Sequence, residues 1–491
     1  MEDEFCRIKW NNERFITGEK GKRLLDVLRE NGIFLSAPCG GNGKCGKCRV
    51  FVDGESRLAC DVRVSKDIEV CPALDEENIR AVSSEQRSFE KVHSPGLAID
   101  LGTTTIAMAV VDLSNGEVAE AGSCINHQRT YGADVISRID AACSGRALVL
   151  RGIVQKDIME EAEKLLKKCG LSFTELEKIS VAGNTTMLHL LMGWQTEGLA
   201  AYPFTPYCIE GGKFTFMEVF GSECSSAEVW ILPGISAFVG ADIVAGIETT
   251  GIYRADATQA IIDLGTNGEM VVGSRKGLIV TSTAAGTAFE GGNLRYGMPG
   301  TDGAISHVEI RNGKCEIETI GDAAAKGICG SGLIDAVYEM RKCDIIDGSG
   351  LLADDYRRGY VLSDAERKIS VTQEDVQEFL LAKSAVRTGI EMLVSRIGLQ
   401  LDELSEVYIA GGFGFFLNLK KAAGIGLLPY ALKGRMSAVG NSSLKGAIDA
   451  LCMWNSDEFD KIRAMAESFE LAEIPEFNER YIENMRLELN E

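Results

Sequence analysis

Leu97-Ala98-Ile99-Asp100-Leu101-Gly102-Thr103-Thr104-Thr105 is an apolar run that stops in an acid, a glycine and a string of hydroxyls. It returns far downstream as Ala260-Ile261-Ile262-Asp263-Leu264-Gly265-Thr266-Asn267-Gly268. Both copies are strand-like and both end in Asp-Leu-Gly-Thr. Their separation is too long for a solenoid repeat and suits a duplicated α/β lobe whose two loops face one another across a cleft. Around them the chain alternates apolar strand-like runs with helical stretches, the pattern of α/β domains. A third element, Val407-Tyr408-Ile409-Ala410-Gly411-Gly412-Phe413-Gly414, reads as a buried strand running into paired glycines.

Nucleotide phosphates need close backbone donors and a divalent cation held by carboxylate. Asp-x-Gly-Thr at a strand end supplies both. Asp100 and Asp263 are expected to face the water shell of Mg2+ and carry the catalytic weight. Gly102 and Gly265 permit the tight turn, and Thr103, Thr104, Thr105, Thr266 and Asn267 bind phosphate oxygens with the backbone N–H groups. Gly411 and Gly412 let the backbone approach a flat ring, as adenine requires, so ATP is the expected ligand. No G-x-x-x-x-G-K-[ST] sequence occurs, which excludes the P-loop class. The three elements, in this order, resemble the acetate and sugar kinase, heat-shock chaperone and actin superfamily over residues 96–455. That resemblance places the first connecting helix at Val181–Met187 and the second at Gly440–Ala447. Asp242 reads as a helix N-cap. His189, among Met187, Leu188 and Leu190, reads as a core histidine, and His93, His127 and His307 carry no pattern.

Toward the N-terminus, Cys39, Cys45, Cys48 and Cys60 have the spacing C-x5-C-x2-C-x11-C, the one close group among 15 cysteines. In a reducing compartment such a group favours a metal site over disulfides. Four thiolates suit an Fe–S cluster, and the intervening glycines let N–H groups turn toward its sulfurs. Cys71 is the other candidate for the fourth ligand. Zinc sites favour two close cysteine pairs, and only one is present. The string Gly41–Gly46 also satisfies G-x-G-x-x-G but precedes no suitable helix, so it carries no dinucleotide reading. The frame is a strand pair (Phe5 to Trp10, Arg14 to Thr17), a helix within Gly21 to Asn31 capped by Gly32, and strands at Arg49 to Val52 and Ile68 to Val70. This region resembles the β-grasp 2Fe–2S ferredoxins, closer to the vertebrate-type spacing than to the plant type, although Cys60 returns sooner than the fourth ligand usually does.

At 491 residues the chain is too long for one core. The expected division is a 2Fe–2S ferredoxin domain at 1–75, a linker at 76–95, ATPase lobes at 96–258 and 259–455, and a C-terminal segment at 456–491. A solvated helix is the lesser reading of this polar segment. A net charge of −21 repels phosphate backbones and anionic lipid heads, so neither nucleic acid nor membrane is an expected partner. The N-terminus lacks the basic and apolar regions of a secretory signal, and no run reaches the ~18 apolar residues of a membrane helix, so a cytoplasmic location is expected.

The two modules together are similar to the reductive activators of corrinoid proteins. Supporting strings are Thr283–Gly291 and Gly327–Asp335, two glycine-rich loops of the ATPase half. The resemblance implies an ATP-hydrolysing electron-transfer activator. It would pass electrons through a 2Fe–2S cluster to return the Co(II) corrinoid of a methyltransferase corrinoid protein to Co(I). It also implies a low-potential electron donor and a possible homodimer. The extra domain that some members insert after the ferredoxin is lacking, and only the 76–95 segment intervenes. For one electron each ~59 mV is tenfold in equilibrium, so an uphill gap of ~200 mV costs about 4.6 kcal/mol, which ATP can offset. Other readings are an activator of another low-potential enzyme, a redox-regulated small-molecule kinase, and a non-catalytic redox sensor. The Ser282–Gly291 loop reads either as a corrinoid contact or as a packing loop near the nucleotide.

Overall fold

The computed structural model describes residues 5–11, 14–35, 37, 39–41, 43, 46–72, 92–365, 368–412 and 417–490. Cys45, Phe413, Gly414 and most of the 76–95 linker lie outside the described residues.

Near the N-terminus, β1 (Phe5–Trp10), β2 (Arg14–Glu19), β3 (Arg49–Val52), β4 (Glu55–Leu58) and β5 (Ile68–Pro72) form one mixed sheet in the order β2-β1-β5-β3-β4. Alternation sets its buried face, with Cys6 and Ile8 inward on β1 and Val50 and Val52 inward on β3. The Leu24–Glu30 helix closes that face with Leu24, Leu25, Val27 and Leu28, all fully buried. Its end is a Schellman turn: the Gly32 N–H donates to the Arg29 carbonyl and the Ile33 N–H to that of Leu28.

The next sheet contains β6 (Pro95–Leu101), β7 (Thr105–Asp112), β8 (Glu117–Ile125), β9 (Lys178–Gly183), β10 (Gly212–Thr215) and β11 (Glu228–Ile231), ordered β10-β11-β9-β6-β7-β8. In the second half, β12 (Gln259–Leu264), β13 (Gly268–Ser274) and β14 (Gly277–Thr283) come first. Then β15 (Ala304–Arg311), β16 (Lys314–Thr319) and β17 (Gly327–Ile328) form a small sheet, and β18 (Tyr360–Ser363) and β19 (Ile369–Val371) a hairpin. Finally β20 (Val407–Ala410), β21 (Met436–Gly440) and β22 (Ala466–Ser468) complete the order β21-β20-β12-β13-β14-β22. Each large sheet begins with an antiparallel meander, and β6 and β12 each lie beside a parallel crossover strand, β9 and β20. The two halves therefore repeat one plan, and β6 and β12 end at equivalent places in it.

Both faces of β12 and β13 are buried. Ile261 and Val271 join the core of the first large sheet, while Ile262, Met270 and Val272 join the core on the other side. The Ser442–Met453 helix lies against β6, β9 and the Ala241–Thr250 helix, and the Ser180 hydroxyl donates to the Ala447 carbonyl at 2.6 Å. Ala241–Thr250, not Val181–Met187, is thus the partner of the second connecting helix. The latter string spans the end of β9, Asn184 as N-cap, and the first turn of the Thr185–Met192 helix. The described part of 456–491 is built into the fold: Asp457–Met465 packs on Ala241–Thr250, and β22 pairs with β14. No described helix is long and apolar enough to cross a membrane.

Lys383, on the Gln373–Arg396 helix, is fully buried and donates to the carbonyls of Asn484 (2.6 Å) and Arg486 (2.8 Å). Burial pushes its pKa down to about 7. Between that value and the unfolded ~10.4, the folded chain binds fewer protons than the unfolded one, so this group makes stability rise with pH. Lys383→Met is expected to lose about 1–3 kcal/mol at neutral pH by orphaning two buried carbonyls. Relative to it, the wild type should gain melting temperature between pH 7 and pH 9; a parallel pair of profiles would exclude this assignment.

Candidate nucleotide cleft and cysteine loop

The ends of β6 and β12 bring Asp100 and Asp263 into one cleft. Asp100 accepts from the Asn441 amide and the Ser443 hydroxyl, each at 2.7 Å. Asn441 is the N-cap of the Ser442–Met453 helix, so the second connecting helix fixes the first acid. Asp242 lies in the first turn of Ala241–Thr250; the N-cap there is Gly240, which corrects the reading of Asp242 as a cap. Glu269 follows on β13. These carboxylates repel one another. Burial, and then Asp100, lifts Asp242 to about 7. Burial, then Asp242, Asp100 and Glu290, lifts Asp263 to about 8. Burial raises Asp100, and burial with Asp242 and Asp263 raises Glu269. A buried set of like charges of this kind is stabilised by a cation. Among the described residues, no three His, Cys, Asp or Glu side chains are placed to hold a metal ion directly.

The turns after the two acids are both closed by the glycine N–H, and the first is one residue longer. The Gly102 N–H donates to the Thr105 carbonyl at 3.1 Å and the Gly265 N–H to that of Asn267 at 3.0 Å. Thr103 is tied to the Asn184 amide (3.0 Å) and, through its carbonyl, to the buried Arg138 guanidinium (2.5 Å). Thr104 and Thr266 meet a common partner, the Glu290 carboxylate. The Thr104 hydroxyl donates to it, as do the Thr266 N–H (3.1 Å) and hydroxyl (2.7 Å). Gly411 follows β20 with φ of +121°, and a Cβ there would lie 2.4 Å from the Leu264 carbonyl oxygen. Glycine alone fits. Gly412 is exposed and faces open space, where a flat ring can approach. Ser282 and Thr283 lie in β14 opposite Glu269 and Gly268, so this stretch borders the cleft. His189 is fully buried against the Thr185 carbonyl at 2.7 Å, as a core histidine.

In the cysteine loop, Cys48 and Cys60 are buried and in contact, and burial followed by Cys48 pushes the Cys60 thiol up to about 12. Cys39 is half-buried, and Cys71 sits on β5 opposite Phe51. The structure thus brings Cys60, not Cys71, to Cys48. Gly40, Gly41, Gly43 and Gly46 have φ of +66°, +91°, +73° and +66°. A Cβ on Gly41 would strike Leu25 at 2.9 Å and approach the Cys60 Cβ at 3.8 Å. Thiols side by side in a glycine-lined turn fit a thiolate-bound iron centre, whose iron offsets charges that burial otherwise opposes.

The loop faces the nucleotide lobes. Arg29 donates to the Thr130 carbonyl and stacks on Tyr131 at 4.5 Å, and a Cβ on Gly40 would lie 3.2 Å from the Tyr131 carbonyl. Phe34 meets His127 at 5.1 Å, and Lys47 donates to the Leu294 carbonyl. The 126–132 segment that receives all of these contacts but the one at Leu294 is anchored on the first phosphate turn. The Asn126 N–H donates to the Thr104 carbonyl (2.9 Å), and its amide donates to that of Gly102 (3.0 Å).

Residues 8–67 match the family described as 2Fe-2S iron-sulfur cluster binding domain. Residues 95–255 match the RACo middle region, and 257–491 the C-terminal domain of RACo, the ASKHA domain. The corrinoid activation enzyme RamQ of Eubacterium limosum is 30% identical over 461 residues, spanning 88% of this chain and 75% of that protein. The chain belongs to the RACo family. Another relative is the [Co(II) methylated amine-specific corrinoid protein] reductase of Methanosarcina barkeri, 26% identical over 381 residues, 71% of this chain and 68% of that one. A solved structure, that of a reductive activator for corrinoid, iron-sulfur protein, superposes with a TM-score of 0.76 at 27% identity and covers 99% of both chains. The RACo chain thus combines a 2Fe–2S ferredoxin domain with an actin-like ATP-binding domain.

Proposed function

We infer that the chain is an ATP-dependent reductive activator of a corrinoid protein. The observation that carries this reading is the shared segment 126–132, which touches the cysteine-loop domain at one end and the first phosphate turn at the other. A 2Fe–2S cluster, held by Cys39, Cys45, Cys48 and Cys60, supplies single electrons at low potential, around −400 mV for plant-type ferredoxins. The cobalt of the partner corrinoid gains one electron, going from Co(II) to Co(I), and ATP is hydrolysed to ADP and phosphate. The chain's own residues bind and orient. Asp100 and Asp263, backed by Asp242 and Glu269, hold Mg2+ through its water shell, as that ion commonly keeps several waters. Thr103, Thr104, Thr105, Thr266 and Asn267 take the phosphates, and Gly411 and Gly412 take the adenosine. Asn441 and Ser443 orient Asp100, so closure of the lobes on nucleotide is felt by the second connecting helix. The 126–132 segment carries the same closure to the ferredoxin domain. A low-potential donor reduces the ferredoxin domain, and the homodimer implied by the resemblance is measurable by sedimentation.

The test is a visible-absorbance assay of Co(II) to Co(I) in a candidate corrinoid protein under a chemical reductant. Co(I) should accumulate only with Mg–ATP, and ATP turnover should rise when the corrinoid protein is added. ATP turnover indifferent to the corrinoid protein, with no Co(I) formed, would remove this reading.

A further inference from the structure

Glu290 ends a short turn, Ala288–Glu290, between Phe289 and Gly291. Its neighbours are firmly set: Phe289 is 1% exposed and packs edge-on to Phe379 at 6.2 Å, and Leu294 is fully buried. From this wall the Glu290 side chain enters the cleft. There it takes hydrogen bonds from Thr104 of one phosphate turn and from both the N–H and the hydroxyl of Thr266 of the other. These three donors belong to the set that a phosphate group requires. A carboxylate is the side chain most like a phosphate in charge and acceptor geometry, and both species seek the same N–H and hydroxyl donors. They cannot share them, because two anions at hydrogen-bond distance repel strongly away from bulk water. The position is unfavourable for Glu290 in another respect, since it adds its charge to that of Asp263, Asp242 and Asp100. What holds it is the hydroxyl and N–H set, helped by the nearby charge of the buried Arg138 guanidinium.

We propose that the Glu290 carboxylate occupies the place of a nucleotide phosphate, clasping the two phosphate turns together, and that ATP binds by displacing it. The proposal rests on the nucleotide-site reading above and deepens it. It assigns to Glu290 a role as built-in competitor rather than as ligand to the nucleotide. Once displaced, the carboxylate no longer ties the two turns to each other, and the cation–phosphate pair takes over that tie. The two turns are thereby held together when nucleotide is not bound, and affinity for ATP is set below what the donors alone would give.

The experiment is calorimetry of Mg2+ with the non-hydrolysable analogue ADPNP on the full chain with its iron centre, together with steady-state ATP turnover. Glu290→Gln keeps the shape and removes the charge. It is expected to bind Mg–ADPNP about tenfold more tightly, or about 1.4 kcal/mol, and to lower KM for ATP while kcat is retained. Glu290→Asp, too short to span Thr104 and Thr266, should shift affinity in the same direction and serves if the Gln variant fails to fold. Unchanged or weaker binding in both variants would overturn the proposal. So would a fall in kcat at unchanged KM, which would make Glu290 a group acting on the reaction itself. If the wild type bound no Mg–ADPNP, the nucleotide-site reading would fail first, and that outcome is distinct from the others.

Discussion

Cys48→Ser should yield a protein without the visible absorbance of a 2Fe–2S centre that still binds Mg–ATP. Cys48 is buried in contact with Cys60 inside a core of its own, formed by β1 to β5 and the Leu24–Glu30 helix. Serine is nearly the same size but presents a hard, weakly acidic hydroxyl where iron needs thiolate sulfur. The lobes keep separate cores and Cys48 itself makes none of the contacts to segment 126–132 named above, so nucleotide affinity should stay within about twofold. Iron and sulfide analysis, absorbance and calorimetry read the three quantities. The same outcome is expected for Cys45→Ser. ATP-dependent Co(I) formation should be abolished in either variant. A wild-type preparation containing zinc and no iron would remove the ferredoxin assignment.

The other large effect is expected at Asp263. Asp263→Asn preserves size and hydrogen bonding and removes one of the charges proposed to hold the cation. Removing one preorganised electrostatic contact typically slows an enzyme by about 10²–10³-fold. We therefore expect that loss in ATP-dependent Co(I) formation, with the iron content and its chemical reducibility unchanged. The pH dependence should change as well. Asp263 is lifted to about 8 when no cation is present, so the carboxyl is largely protonated at pH 6 and Mg–ATP must displace that proton. Wild-type affinity for Mg–ATP should rise from pH 6 to pH 8, and the rise should shrink in Asp263→Asn. Full-rate, ATP-stimulated cobalt reduction by this variant would mean that the cleft assigned here is not the nucleotide site. Equal reduction with no nucleotide would mean that the two modules are not coupled.

The parts of this molecule that sequence revealed are those written within a few residues of one another. Asp100 and Asp263 each stand at the end of an apolar strand beside their own glycine and threonine, and the cysteine loop carries its ligands and glycines together. The groups that complete the cleft are dispersed. Asp242, Glu269, Glu290, Asn441 and Ser443 come from separate elements with no common spacing, and only the lobe geometry brings them together. Glu290 lay within the quoted string Thr283–Gly291, yet nothing in that string tells which way a lone acid points. The first connecting helix lies elsewhere than Val181–Met187, because that string runs from a strand end through the Asn184 cap and contains only the first three residues of a helix. Ala241–Thr250 would have been found by weighing Gly240 as the cap. Strand β4, Glu55–Leu58, went unread because it is an edge strand of mostly exposed polar residues, which breaks the usual alternation.

The Ser442–Met453 helix lies on a sheet whose strands all precede residue 232. On a ribosome, chains lengthen by about 5–20 residues per second, and domains ordinarily fold as they emerge. The sheet of β6 to β11 cannot bury its Ala447, Ala450 and Leu451 neighbours until more than two hundred further residues have been made. During synthesis one of its faces therefore waits uncovered, and a chaperone has a defined window in which to guard it. A fragment stopped before residue 441 should stay aggregation-prone although it contains every strand of that sheet. The cysteine-loop domain, whose core residues are all near in sequence, can fold and take up iron long before. The assembly order is then iron first, nucleotide last.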